Sequence, residues 1–120
     1  MLLFIIRLIA SYNIILRKIS FNKATQLVEF KFRVQDAMVS EHETSHVTCE
    51  VWCTSGLDEL PILITTVYPL ETNRNTYIFI KVGEMKNNWY YWIVAKDALQ
   101  LNVAYSNYFR IKLRTELENQ

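Results

Sequence analysis

Hydrophobic and polar residues alternate along much of the chain with a period of two, which is typical of β-strands that bury one face. The clearest case is residues 26–35, where apolar side chains alternate with Glu29, Lys31 and Arg33. His46–Thr54 and three further stretches show the same alternation. We therefore predict strands at about 14–21, 26–35, 46–54, 62–68 and 109–113.

Residues 76–96 carry the strongest β-strand signal in the chain. Ile78 and Ile80 alternate with Tyr77 and Phe79 on the first half, and a second aromatic-rich run ends the stretch. The residues from 83 to 88 between them, apart from Met85, are polar or glycine and suit a turn. Because both halves are apolar on both faces, the pattern predicts a β-hairpin in the interior of a sheet.

Two segments favour helix instead. In residues 2–12 the apolar run is interrupted by Arg7, and Arg7, Ser11 and Lys18 would share a narrow wedge of a helix. Asp97 is a suitable N-cap for a short helix through residue 103. The sequence thus predicts an α+β fold: one curved antiparallel sheet of about six or seven strands, with an N-terminal helix and one short helix in the C-terminal half.

The chain has 120 residues, two glycines and two prolines, so we expect a single domain spanning residues 1–120 without a linker. Arg7 breaks the N-terminal apolar run, which argues against a membrane span. No basic residue precedes that run, which argues against a signal peptide. Cys49 and Cys53 would lie about 13 Å apart on a strand, too far for a disulfide. Reduced thiols favour a cytoplasmic protein.

Charge is distributed unevenly although the net charge is only +1. Residues 1–35 hold six basic side chains against one acid, and residues 36–75 hold seven acids against one base. A segregated pattern of this kind can steer a charged partner. Nucleic acid is an unlikely partner by this reasoning, because the aromatic neighbours of Lys31 and Arg33 would occupy the opposite face of their strand.

Residues 42–46 read His-Glu-Thr-Ser-His and resemble the H-E-x-x-H motif of the zincin metallopeptidases over these five residues. The resemblance implies a zinc-dependent hydrolase in which His42 and His46 bind zinc and Glu43 activates water. That chemistry requires a helix, and the flanking residues lack helical periodicity. Cys49 and Cys53 extend the set of possible zinc ligands, but strand alternation predicts that they are buried with Val47 and Val51.

The chemistry-bearing residues are too few to favour an enzyme. We therefore expect a non-catalytic protein-binding module, of inhibitory or accessory type, with no catalytic residue and no cofactor. Its predicted binding residues are Glu41, His42 and Glu43, in a polar loop that would meet a basic protein partner. The zinc-dependent hydrolase, with Glu43 as catalytic residue, is the alternative. The pattern leaves the oligomeric state open.

Overall fold

The predicted strands form two sheets rather than one. In a computed structural model, which describes residues 12–40, 42–99 and 102–113, the strands all pair antiparallel. Their bounds are β1 Tyr12–Asn22, β2 Leu27–Asp36, β3 His46–Thr54, β4 Ile62–Glu71, β5 Asn75–Lys81, β6 Tyr90–Lys96, β7 Asn102–Tyr105 and β8 Phe109–Arg110.

The smaller sheet has the strand order β1-β2-β5, and the larger sheet has the order β4-β3-β6-β7, with β8 also paired to β6. The chain therefore passes from the smaller sheet to the larger one after β2, returns after β4, and passes over again after β5. These connections between sheets give the arrangement of a Greek-key β-sandwich.

The core lies between the two sheets. Strand β2 buries Val28, Phe30, Phe32 and Val34, which are at most 2% exposed, while the residues between them are half-buried. On the larger sheet, β3 turns Val47, Cys49, Val51 and Cys53 to the same interior. Each sheet thus covers the apolar face of the other, as in other aligned sandwiches. The strand predictions for β1 to β4 and the buried positions predicted on β2 and β3 are confirmed.

The predicted hairpin of residues 76–96 is wrong. Strand β5 pairs with β2 at the edge of the smaller sheet, whereas β6 pairs with β3 inside the larger sheet. The connection between them contains a 3-10 turn at Val82–Glu84 and crosses from one sheet to the other. Of these two strands, only β6 is buried on both faces. On β5, Tyr77 and Phe79 point to solvent, so its apolar residues do not mark an interior strand.

The predicted α+β class is also wrong, because within the described residues no helix reaches seven residues. Residues 2–11 of the predicted N-terminal helix lie outside the described residues, and residue 12 begins β1. After Asp97, the carboxylate accepts a hydrogen bond from the Leu99 amide at 2.9 Å, which forms a turn and not a helix cap. Val103, at the end of the predicted helix, belongs to β7, which pairs with β6, and residues 100 and 101 lie outside the described residues. No helix among the described residues is long and apolar enough to cross a bilayer.

The crossing from β5 to β6 is fixed by Tyr91. Its ring is fully buried, and its hydroxyl accepts a hydrogen bond from the Lys86 amide and donates one to the Lys86 carbonyl, each at 2.6 Å. A tyrosine near the start of the sixth strand, bonded back to the preceding connection, is the tyrosine corner of immunoglobulin-like sandwiches. The ring also stacks on Phe109, at 6.2 Å between centroids, which ties β8 to the core.

We expect Tyr91→Phe to lower the free energy of unfolding by about 1–3 kcal/mol, because both Lys86 backbone groups lose their partner in a partly buried place. Urea denaturation measures the change. Tyr90→Phe is the matched control, because the Tyr90 ring lies against the Arg110 guanidinium at 5.3 Å and phenylalanine keeps that contact. Equal stability of the two variants would show that the corner does not stabilise the fold.

The same residue predicts a loss of stability in alkali. Burial raises the pKa of Tyr91 to about 12, above its ordinary value of 10.0. The folded state therefore holds this proton more tightly than the unfolded state does. The contribution is fully present below pH 10 and is lost as the pH rises from 10 through 12. Urea titrations across that range should show a steeper fall for the wild type than for Tyr91→Phe.

Candidate functional site

The His-Glu-Thr-Ser-His stretch lies in the loop between β2 and β3 and is not helical. His42 is exposed in a turn that the Glu43 amide closes by a hydrogen bond to the Ser40 carbonyl at 3.0 Å. Residues 43–45 have no regular secondary structure, and His46 is the first residue of β3. Glu43 is engaged locally: its carboxylate accepts a hydrogen bond from the Ser40 hydroxyl at 3.1 Å. Glu41 lies outside the described residues. The two histidines therefore lack the helical turn that aligns them in the zincin motif.

The β2–β3 loop is hydrogen-bonded to Asn73, which is buried in the turn between β4 and β5. Its side-chain oxygen accepts a hydrogen bond from the Asp36 amide at 2.8 Å, and its side-chain nitrogen donates to the Glu43 carbonyl at 3.1 Å. Asn73 has a φ of 60°, a left-handed conformation that asparagine tolerates better than most residues. The loop is therefore a braced connection between the two sheets.

The Asp36 carboxylate also holds this loop in place, and both of its oxygens are occupied by hydrogen bonds within the chain. It accepts a hydrogen bond from the Ser45 hydroxyl at 2.6 Å and another from the Met38 amide at 2.9 Å. Thr72 joins the same group through its hydroxyl, which accepts a hydrogen bond from the Ser45 amide at 2.8 Å. Asp36, Thr72 and Asn73 are all less than 10% exposed. These polar residues close one end of the apolar interior.

The cysteines do not join the histidines in a metal site. Cys49 and Cys53 are fully buried on the inner face of β3, whereas His46 is exposed on the same strand at a position of opposite parity. Burial raises the pKa of the Cys49 thiol to about 12 and raises that of Cys53 as well. Across the described residues, no three His, Cys, Asp or Glu side chains are grouped so that they could hold a metal ion.

The acids of residues 36–59 do not form one surface. Asp36 is buried, Glu50 lies in the middle of β3, and Glu43 stands before that strand. Asp58 and Glu59 follow β3, so they are at the opposite end of the sandwich from Glu43. Nine residues of strand separate the two ends by about 26 Å.

A different surface stands out on the outer face of the larger sheet. Trp52 and Trp92 are direct neighbours across β3 and β6, and Tyr108 packs edge-on against Trp92 at 5.1 Å between ring centroids. The two tryptophans line a shallow groove together with Pro61, Val94 and Tyr105. We call this the aromatic groove; it is defined by Glu50, Trp52, Pro61, Trp92, Val94, Lys96 and Tyr105.

One ion pair lies at the floor of the aromatic groove. The Lys96 ammonium is 3.1 Å from a carboxylate oxygen of Glu50, and the same oxygen accepts a hydrogen bond from the Trp52 indole at 3.0 Å. Glu50 is only 8% exposed, so its charge is compensated by these two donors. The contacts fix the orientation of the Trp52 ring in the groove.

The loop between β3 and β4 extends the apolar surface beyond the groove. Leu57 is 84% exposed and Leu60 is 89% exposed, and Asp58 and Glu59 lie between them. Pro61, which lines the groove, follows directly. Two leucines exposed to this degree beside an aromatic groove form the kind of surface that proteins use for recognition.

Sequence reasoning missed this surface because its members come from several strands. The alternation on β3 and β6 places Trp52 and Trp92 on the face opposite the core, and that signal is present in the sequence. Their adjacency depends on the β3–β6 pairing, which the predicted hairpin replaced by a different partner.

No protein-family model and no curated protein matches the chain. Among solved structures, it is similar to two variants of a superoxide reductase (neelaredoxin) from Ignicoccus hospitalis. The first has 15% identity and a TM-score of 0.54 and covers 89% of this chain and 84% of that one. The second has 16% identity and a TM-score of 0.53, with 86% and 82% covered. At such identities the likeness shows the fold alone.

We expect both cysteines to react at least about 100-fold more slowly with a thiol reagent in the native protein than in urea. Exposure of either thiol requires opening of β3, a strand of the core. A time course with a chromogenic disulfide reagent at pH 8 measures this, and the urea-unfolded protein is the control. Rapid labelling of the native protein would contradict the burial of Cys49 and Cys53.

We expect zinc to leave the melting temperature unchanged, because two histidines on a non-helical backbone do not supply the ligands of a tight site. Thermal unfolding with and without zinc, together with elemental analysis of the purified protein, measures this. An increase in melting temperature that disappears in both His42→Ala and His46→Ala would instead support the hydrolase alternative. Glu43→Gln should then remove turnover while zinc remains bound.

Proposed function

We propose that the chain is a non-catalytic protein-binding module whose main recognition surface is the aromatic groove together with the β3–β4 loop. The exposure of Leu57 and Leu60 beside the groove carries this proposal. Aromatic residues are enriched in the centre of protein interfaces, and an exposed apolar patch with a polar rim is typical of a binding site.

The groove supplies anchors of the kind that dominate binding energy. Trp52 is partly exposed and held by its hydrogen bond to Glu50, so its ring is ordered before a partner arrives. Trp92 is only 9% exposed and supports the groove from below, whereas Tyr105 is 58% exposed at its rim. A preorganised aromatic loses little side-chain entropy on binding. Tryptophan and tyrosine are also the residues most often found as hot spots.

Charge indicates the chemistry of the partner. Asp58 and Glu59 stand between the two exposed leucines, so the loop presents acids and apolar side chains together. A complementary segment carries basic and aliphatic residues. A partner that follows β3 along its whole length would also reach His42 and Glu43, which keeps these two predicted binding residues within the proposal.

The proposed location is cytoplasmic. It is supported by two cysteines that are buried as free thiols on the inner face of β3. The alternative function, zinc-dependent hydrolysis, has no support from the local backbone of residues 42–46 and is tested by the zinc measurements above.

Selection from a random peptide display library against the immobilised protein tests the proposal without a known partner. We expect peptides enriched in Lys or Arg next to aliphatic residues. Their affinity should fall about tenfold or more in Leu60→Asp, because the apolar contact is lost and a carboxylate is placed in the apolar surface. This loss should exceed the weak attraction between the new carboxylate and the basic residues of the peptides.

Leu99→Asp is the matched control. Leu99 is 77% exposed and lies in the turn after β6, at the opposite end of the larger sheet from the β3–β4 loop. It should leave peptide binding unchanged. Selected peptides that bind both variants equally would refute the surface, and a library that yields no binder would refute the proposed function.

A further inference from the structure

The outer face of the smaller sheet combines basic and aromatic side chains. Lys18 on β1 lies directly opposite Lys31 on β2, and Lys31 lies opposite Tyr77 on β5. Along β5, Phe79 is opposite Glu29 and Lys81 is opposite Leu27. We call this the basic face; it is defined by Lys18, Glu29, Lys31, Arg33, Tyr77, Phe79 and Lys81.

The aromatic residues of the basic face are exposed and regularly spaced. Tyr77 is 45% exposed and Phe79 is 57% exposed. They are two residues apart on one strand, so their side chains leave the sheet on the same side at a spacing of about 7 Å. The Lys31 ammonium lies 5.8 Å from the centre of the Tyr77 ring, which places a positive charge beside a stacking surface.

The arrangement is unfavourable for an isolated protein. Like charges directly opposite each other on paired strands are destabilising, and Lys18 and Lys31 are such a pair. Within the described parts of the chain, neither of them, nor Lys81, forms an ion pair with an acid. Glu29 is the one acid of the basic face, against Lys18, Lys31, Arg33 and Lys81. An anionic ligand would offset this repulsion.

We propose that the basic face binds single-stranded nucleic acid, with bases stacked on Tyr77 and Phe79 and phosphates beside Lys18, Lys31 and Lys81. Exposed aromatics on a sheet, interleaved with basic side chains, are the means by which many proteins hold single strands. A duplex would not fit, because its bases are stacked inside and cannot reach the rings. The proposal concerns the face opposite to the aromatic groove and does not rest on the proposed protein-binding function.

The sequence pattern argued against nucleic acid because Phe30 and Phe32, the aromatic neighbours of Lys31, point into the core. That reading of β2 is correct. The aromatics that share a face with Lys31 come instead from β5, some 46 residues later in the chain, through the β2–β5 pairing. The juxtaposition therefore becomes visible only with the strand order of the smaller sheet.

Fluorescence anisotropy with a labelled oligothymidylate and an oligouridylate of about 12 nucleotides tests the proposal. We expect binding that weakens with salt, with a slope of log K against log salt of about −2 to −3 for three or four phosphate contacts. The double variant Tyr77→Ala, Phe79→Ala should bind about tenfold or more weakly, because each stacked base loses its platform. Lys18→Ala with Lys31→Ala should reduce the slope by about 1.4.

Two matched controls separate this site from general electrostatic attraction. Lys86→Ala with Lys112→Ala removes the same charge from exposed positions outside the basic face, and Tyr68→Ala removes an aromatic that is 72% exposed on β4. Neither control should weaken oligonucleotide binding as much as the substitutions on the basic face do. Tyr77→Trp with Phe79→Trp should retain it, which guards against misfolding of the alanine variant.

Three results would overturn the proposal. The first is absence of binding to either oligonucleotide at low salt. The second is binding that the Tyr77 and Phe79 substitutions leave unchanged. The third is equally tight binding of a polyglutamate peptide that is weakened by Lys18→Ala with Lys31→Ala but not by the Tyr77 and Phe79 substitutions, which would assign the basic face to an acidic protein segment instead.

Discussion

The structure depends on how the chain passes between two sheets that share one apolar interior. Each passage brings backbone amides and carbonyls to the rim of that interior, where an unpaired group costs free energy. At one end, Asn73 bonds the β2–β3 loop to the turn after β4. At the crossing after β5, Tyr91 satisfies both backbone groups of Lys86. With these two side chains in place, each sheet can cover the apolar face of the other.

Strand alternation was enough to predict β1 to β4 and the buried residues of β2 and β3, because a half-buried strand leaves a period-two record of its environment. The alternation does not indicate which strands pair with each other. Residues 76–96 were read as a hairpin since two adjacent apolar strands most often pair, and nothing in their composition distinguishes an edge strand with exposed Tyr77 and Phe79 from an interior one. Asp97 was read as a helix cap because the same carboxylate–amide hydrogen bond begins both helices and turns.

The candidate sites likewise differ in whether they depend on residues close in sequence or on strand pairing. Residues that are close in sequence, such as His42, Glu43 and His46, attract attention as a motif, yet no helical turn aligns their side chains. The aromatic groove joins β3 to β6, and the basic face joins β1, β2 and β5. Both are products of strand order, which is a long-range property. Their placement on opposite outer faces of a sandwich means that the two proposed ligands would not compete for space.

The irregularity in β1 has a consequence for the behaviour of the protein at high concentration. The register of β1 against β2 shifts between Leu16 and Lys18, and β1 stands at the edge of its sheet. An unpaired edge is a template on which another chain can add a strand, and aggregation begins in this way. A bulge bends that template, and the consecutive charges of Arg17 and Lys18 at the same point repel an approaching copy. One extra residue thus protects this edge of the smaller sheet from self-association.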